Sequence, residues 1–321
     1  MGGEPVFTVL APVHRPPDLL PFAVRSVLDQ SRQDFELFIV CDGAPDATVE
    51  AARGFEAQDP RVRAFVHPKG ERHGEAYRHL ALQAARGRIV CQIGDDDLWF
   101  PDHLAEAEAL MATADFGATL PLFFEGPGGP VLHFGDLGDP AVRRRMSETP
   151  YNLFGPTTAA YRLETYRRLP VGWAPAPEGI WTDLWMWRKF LALPGVRCAT
   201  RFRATTLSFP ATVRREWPLW RRAEEIAAHA AAIQSPDYRD RLFREGLAEA
   251  ARRLTRLQTQ GVEMRAVGRA LLAALEQVEG ALETIAAAGD AQVQAQAAKA
   301  ALAGLPDRAW RDRLKGPPAA G

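Results

Sequence analysis

Few of the features that commit a chain to a compartment or a charged partner are present here. The three cysteines, Cys41, Cys91 and Cys198, stand far apart among 321 residues, odd in number and outside any metal-ligand spacing. Buried thiols in a reducing compartment account for them, which argues against a disulfide framework. The opening MGGEPVFTVLAPV has neither the basic start nor the apolar core of a signal peptide, and no run of about 18 apolar residues occurs. The expectation is a cytoplasmic protein without a transmembrane segment. A net charge of −1 with 25% charged residues leaves no global field to recommend nucleic acid or an anionic membrane as a partner. Glycine-rich phosphate loops are missing as well. The first predicted strand runs into PVHRPPD, without the glycines that bring a dinucleotide fold against a pyrophosphate, and no Walker lysine loop follows any strand.

What is present is a rhythm. Val6 to Ala11, Phe35 to Cys41, Arg61 to Val66 and Ile89 to Ile93 read as strands, and Leu19 to Leu28, Asp46 to Ala57 and Glu75 to Arg86 as the helices between them. Strand and helix in alternation predict parallel βαβ units and a sheet covered on both faces. A helix over Asp102 to Met111 and a strand over Ala118 to Phe124 follow, and GPGG at 126–129 can turn the chain into a hairpin with Val131 to Phe134. Residues 138–177 are irregular, with short pieces at Thr157 to Tyr161 and Leu163 to Leu169. A helix over Ile180 to Leu193 and strands near 197–203 and 206–209 close this part. After about Trp217 the composition turns to Ala, Arg, Glu, Gln and Leu, with helical stretches near 218–233, 237–259, 263–288 and 290–303. The expected division is 1–215 as one domain, in halves of about 5–124 and 125–215, and 216–321 as a helical extension. That extension is expected to pack on the main domain or to mediate self-association as a homo-oligomer, and to supply no catalytic group.

The Ile89 strand ends in Asp95, Asp96 and Asp97. Three adjacent carboxylates repel one another unless they are solvated or share a divalent cation. Mg²⁺ or Mn²⁺ is typically held by one or two carboxylates plus substrate phosphates, and ligands of open α/β sheets bind at the carboxyl ends of strands. The plainer alternative is a solvated acidic turn that caps the next helix. Asp42, ending the second strand, falls on the same rim as Pro12 to Arg15 if these strands are parallel, and a carboxylate there can accept from a base N–H.

Taken together, FTVLAPVHRP, SVLDQSRQDFELFIVCDGAPD, the Arg-His and Gly-Arg pairs of YRHLALQAARGRIV, and GDDDLWFPDHL resemble the nucleotide-sugar half of the family 2 glycosyltransferases. The likeness is clear over about Pro5 to Phe124 and looser to about Arg215. It implies a GT-A fold, a Rossmann-like and mainly parallel sheet flanked by helices, here with an α-helical C-terminal extension. It implies an inverting, metal-assisted transfer of a sugar from a nucleoside diphosphate, a UDP-sugar first among donors, to the hydroxyl of a glycan, lipid or small-molecule acceptor. By the same resemblance Pro12, Val13, His14 and Asp42 line the nucleoside pocket. Arg78 takes the place of the family's arginine beside the diphosphate, and Asp95 and Asp96 face the donor. Mn²⁺ or Mg²⁺ falls to Asp97 and Asp95, with Asp97 as the most direct ligand. Asp183, in EGIWTDLWMWRKF, stands where the family carries its general base, although Thr182 replaces the usual Glu. The plainer reading of Asp183 is a helix cap, and Glu178 is next in line as base. Of Trp181, Trp185 and Trp187, two are expected in the core. Two other functions share part of this pattern. A sugar-1-phosphate nucleotidyltransferase shares such a sheet and metal-binding aspartates but calls for a glycine-rich first turn. A non-catalytic relative would use its helices as an interaction or binding module.

Overall fold

The computed structural model describes residues 4–126 and 129–259. The helical stretches expected near 263–288 and 290–303 lie outside the described residues. In chain order the elements are β1 (Phe7–Val13), α1 (Leu20–Leu28), β2 (Phe35–Asp42), α2 (Asp46–Gln58), β3 (Val62–His67), α3 (Glu75–Gln83), β4 (Ile89–Gln92), β5 (Leu98–Trp99), α4 (His103–Met111) and β6 (Phe116–Phe123). There follow β7 (Val131–Leu132), α5 (Pro140–Glu148), β8 (Ala159–Arg162), α6 (Leu163–Arg167), α7 (Thr182–Leu191), β9 (Cys198–Ser208), α8 (Leu219–Ala232) and α9 (Pro236–Thr259).

The described strands form one mixed sheet in the order β3-β2-β1-β4-β8-β6-β9-β5, with β7 on β6. The first half is parallel, β1 lying between β2 and β4. β8 then runs antiparallel to both β4 and β6, while β9 is parallel to β6. The α/β class is as expected, and the second half adds the antiparallel strands. Period-two alternation fixes the two faces. Phe7, Val9 and Ala11 of β1 with Leu37 and Ile39 of β2 pack beneath α1, α2 and α4. Leu10, Phe38, Val40 and Val90 face the other way, toward α3, α6 and α7. The chain leaves β1 toward β2 on one side and reaches β4 on the other, so the carboxyl ends of β1 and β4 flank the point where strand order reverses. That crevice is where open α/β sheets hold ligands.

Besides β5, a short strand in a stretch read only as the acidic turn before a helix, two segments differ from the sequence expectation. The stretch 138–177 contains α5, started by Pro140 in its first turn and by Asp139, whose carboxylate accepts from the Ala141 N–H at 2.7 Å. The two strands expected near 197–203 and 206–209 are one strand, β9, with register shifts against β6. The extension shares a core with the sheet: Ile226 of α8, Ile233 just after it, and Leu242 and Leu247 of α9 cluster with Leu120, Leu122, Leu207 and Phe209.

Candidate active site

A cavity of about 250 Å³ opens at the reversal point. Its wall brings together eight of the residues singled out in the sequence: Pro12, Val13, His14, Asp42, Arg78, Asp95, Asp96 and Asp183. Asp97 is not among them.

One side is built by strand ends. β1 delivers Pro12, Val13 and His14, and β2 delivers Asp42, 4% exposed. Asp42 is fixed by Lys69 Nζ at 2.5 Å and by the Gly70 N–H at 2.6 Å, one donor on each oxygen. Gly74 makes this possible: its φ is +66°, and a Cβ there would lie 2.5 Å from the Asp42 carboxyl carbon. Asp42 retains lone pairs for an N–H in the cavity.

The acidic turn after β4 divides its three carboxylates. Asp95 is 4% exposed, with Arg15 Nε at 3.0 Å from Oδ2, an ion pair whose angle leaves that oxygen without a proper hydrogen bond. Asp96 Oδ2 accepts from Arg15 Nη1 at 2.8 Å and from Arg222 Nη2 at 2.7 Å. Asp97 faces inward: one oxygen accepts from the Thr157 hydroxyl and the other from the Phe209 N–H at 3.1 Å. Burial pushes the carboxyls of Asp95 and Asp97 up to about 7, Arg15 opposing this at Asp95 and the Thr157 hydroxyl opposing it at Asp97. Asp97, expected as the most direct metal ligand, lies off the cavity wall with both oxygens taken by protein donors. Its oxygens stitch the acidic turn to the 3₁₀ turn at Pro156–Thr158 and to the chain leaving β9.

No three His, Cys, Asp or Glu side chains converge as a closed metal cage among the described residues. The donor set does fit an open site. Asp95 and Asp96 stand on the cavity wall, and Asp95 Oδ2 is a buried acceptor lacking a donor. Two carboxylates with substrate phosphates are what Mg²⁺ ordinarily takes.

The opposite side is carried by α3 and α7. Arg78 is 7% exposed, its Nη2 donating to the His73 carbonyl at 2.8 Å and its guanidinium lying 4.8 Å from the Trp173 ring centroid. Its Nε is buried without a partner. Burial works against the Arg78 charge, and Glu75 and Asp183 work for it. Asp183 sits in the first turn of α7, accepting from the Asn152 amide at 2.7 Å and from its neighbour's N–H, that of Leu184, at 2.8 Å. Burial raises its carboxyl above the usual carboxylate range, and those donors hold the rise in check. Glu178, the alternative base, is exposed and off the cavity wall.

Sequence reasoning missed Glu75. It is fully buried, receives the Thr182 hydroxyl at 2.8 Å and the His73 N–H at 3.0 Å, and so ties the first turn of α3 to that of α7. Burial pushes its carboxyl up, but these donors and Arg78 more than offset that and leave it below the ordinary value. The spacing of Glu75 and Arg78 along α3 was the available signal. The tryptophans divide differently from expectation: Trp187 is in the core, Trp185 is half-buried under Lys189, and Trp181 is 55% exposed. Desolvation pushes the buried Cys41 thiol and the half-buried Cys198 thiol each up to about 11, which disfavours the thiolate. No described helix is long and apolar enough to cross a membrane.

Residues 8–166 match the family model for glycosyl transferase family 2. Over those residues, just under half of the chain, it is similar to that family. Among curated relatives, TuaG of Bacillus subtilis (strain 168), a glycosyltransferase named provisionally for teichuronic acid biosynthesis, is 33% identical over 101 residues, 32% of this chain and 40% of TuaG. The succinoglycan biosynthesis protein ExoW of Rhizobium meliloti (strain 1021) is 30% identical over 151 residues, 44% of this chain and 46% of ExoW. The matched part thus spans less than half the length of these relatives. Among solved structures, the mannosyltransferase PcManGT of Pyrobaculum calidifontis, in complex with GDP-Man and Mn²⁺, is 21% identical. It covers 98% of this chain and 84% of its own, with a TM-score of 0.47.

Proposed function

We propose that this protein is an inverting family 2 glycosyltransferase that moves a sugar from a nucleoside diphosphate, a UDP-sugar, to an acceptor hydroxyl. The observation that carries the reading is one cavity wall holding Asp95 and Asp96 beside the cationic Arg15, with Arg78 and Asp183 opposite. The base of the nucleotide lies along Pro12, Val13 and His14, where Asp42 accepts from its imide N–H. The diphosphate lies toward Asp95 and Asp96, with Arg78 and Arg15 as positive partners. Mn²⁺ or Mg²⁺ at Asp95 and Asp96 supplies charge neutralisation to the departing diphosphate when bound.

Asp183 accepts the proton of the acceptor hydroxyl as that oxygen forms its bond to the anomeric carbon. The bond from that carbon to the diphosphate oxygen breaks, and the electron pair leaves with the nucleoside diphosphate. A single in-line displacement inverts the anomeric centre. Arg78 sits between the two events: its charge is supported by Asp183 and Glu75 on one side and offered to the leaving group on the other. The PVHRPPD turn in place of a glycine loop keeps nucleotidyl transfer out of consideration.

The test is nucleoside diphosphate release across a panel of UDP- and GDP-sugars with simple glycoside and lipid-linked acceptors. Turnover of at least one donor is the expected result. Tight nucleotide binding with no release from any donor would instead identify a non-catalytic binding protein.

A further inference from the structure

Arg222 lies on α8, in the helical extension, 126 residues from Asp96 in sequence, yet its Nη2 is 2.7 Å from Asp96 Oδ2. The arginine is 7% exposed, and its Nε is buried with no acceptor. Its partner is a carboxylate of the cavity wall. Arg15 bonds the same Oδ2 from the other side and also pairs with Asp95, so Asp95, Arg15, Asp96 and Arg222 form an alternating row of opposite charges. Two guanidiniums balance the two carboxylates that face the cavity. A guanidinium buried with an incomplete set of acceptors costs free energy, and a structure that tolerates it gains something by it.

We infer that Arg222 is a positioning residue for the donor site: a tethered cation that occupies Asp96 until the metal-bearing nucleotide arrives, and so keeps the acidic turn from holding a free divalent ion. This rests on the reading of Asp95 and Asp96 as the metal's carboxylates. A divalent ion approaching the turn without nucleotide must compete with Arg222 for Asp96. An ion arriving with a diphosphate brings its own anionic oxygens and depends less on that carboxylate. The extension thereby makes metal and donor enter together, and α8 belongs to the donor site without touching the sugar.

The probe is Mn²⁺ alone, titrated without nucleotide and followed by the electron paramagnetic resonance of the free ion. Arg222→Met keeps the buried stem and removes the charge, and should bind Mn²⁺ about 10- to 100-fold more tightly than wild type. Arg222→Lys should stay within a few-fold of wild type. The sign discriminates, since damage to the site would weaken the ion and only loss of a competitor strengthens it. Unchanged or weaker Mn²⁺ binding by the folded variant overturns the inference, with the melting temperature certifying the fold. Arg222→Gln replaces the Met variant if that one fails to fold. If neither folds, Arg222 is a structural residue and the inference is likewise overturned. Calorimetry of wild type with UDP and Mn²⁺ together separates the two readings. Absence of nucleotide binding there defeats the proposed function, whereas the role of Arg222 is decided by the Mn²⁺ titration.

Discussion

Asp183→Asn removes the proposed base while leaving its surroundings nearly intact, and the structure shows why. One carboxylate oxygen accepts from the Asn152 amide nitrogen at 2.7 Å, the other from the Leu184 N–H at 2.8 Å. An amide in D183N can keep its oxygen on Leu184, which turns its NH₂ toward Asn152. Asn152 has a buried oxygen, Oδ1, with no partner, so a flip of its own amide restores the second bond. Little stability should be lost, and the nucleotide pocket on the strand ends is untouched. The new amide cannot take a proton, and general-base catalysis contributes roughly 10²- to 10⁴-fold. The expected outcome is a fall in kcat of that order with donor affinity within a few-fold of wild type, read by steady-state release of nucleoside diphosphate beside calorimetry. Wild-type kcat should rise with pH as Asp183 ionises, with a midpoint above the ordinary carboxylate range because burial raises it. D183N should lose that limb. Turnover within a few-fold of wild type would refute the assignment. Glu178, exposed and away from the cavity, would be a poor replacement.

Nucleoside diphosphate binding should weaken in chelator and in Asp96→Asn, because a neutral amide is a poorer ligand for a hard cation; equal calorimetric affinity in all three conditions would exclude a metal at this turn. Asp97→Asn should act on the fold instead, since the amide can keep the Phe209 N–H only if the Thr157 hydroxyl turns from donor to acceptor, and both bonds lose the carboxylate's charge. A loss of about 1–3 kcal/mol in denaturant unfolding is expected, and undiminished stability would count against its inward role. Burial pushes the His103 imidazole down to about 3, whereas in the unfolded chain it titrates near about 6.5. The stability carried by neutral His103 is present above the unfolded value and lost as pH falls through it toward 3. His103→Phe, which can keep the stack on Trp99, should flatten that part of the melting-temperature profile; an identical slope would assign the acid sensitivity elsewhere. A chain ending at residue 215 should aggregate, because it uncovers Leu120, Leu122, Leu207 and Phe209; a soluble, monomeric product on gel filtration would show the extension to be dispensable for folding.

In the half of the chain with regular rhythm the longer elements were legible to within about three residues at their ends. Apart from Glu36, FELFIVC is apolar on both faces because β2 is covered on both, and Asp42 ends it because the strand reaches the rim there. Legibility fails where polar residues are held by partners far away in sequence. β9 reads as two strands broken at Ala204 and Thr205, and Arg201, Arg203 and Thr205 alternate along one side of it. In the fold they face α4, Arg201 bonding Glu106 at 2.6 Å and Thr205 bonding His103 at 2.8 Å. The Asp139-Pro140 start of α5 was a visible signal within an arginine-rich stretch whose single buried residue, Met146, left no apolar stripe to read. Arg222 carried no sequence signal at all. An arginine in an Ala-rich helix reads as solvated, and only the packing of α8 on the sheet brings it to Asp96.

The acidic turn shows why a motif does not assign its own residues. Three consecutive aspartates cannot share one environment, because at spacings of a few ångströms their ionised forms repel more strongly as water is withdrawn. The turn separates them. Asp97 points into the protein, where two neutral donors satisfy it, and in doing so it anchors the turn to Thr157 and to the chain leaving β9. That anchoring leaves Asp95 and Asp96 as the pair on the cavity wall, each beside Arg15. Arg15 follows β1 directly and Asp95 follows β4, so the pairing of these two strands at the reversal point brings the cation to the acids. A diphosphate entering this cavity therefore meets a pre-balanced row, acid and base alternating, rather than a bare negative patch. Such a row repels an anion far less than three free carboxylates would, and it holds its charges in place before the leaving group develops its own.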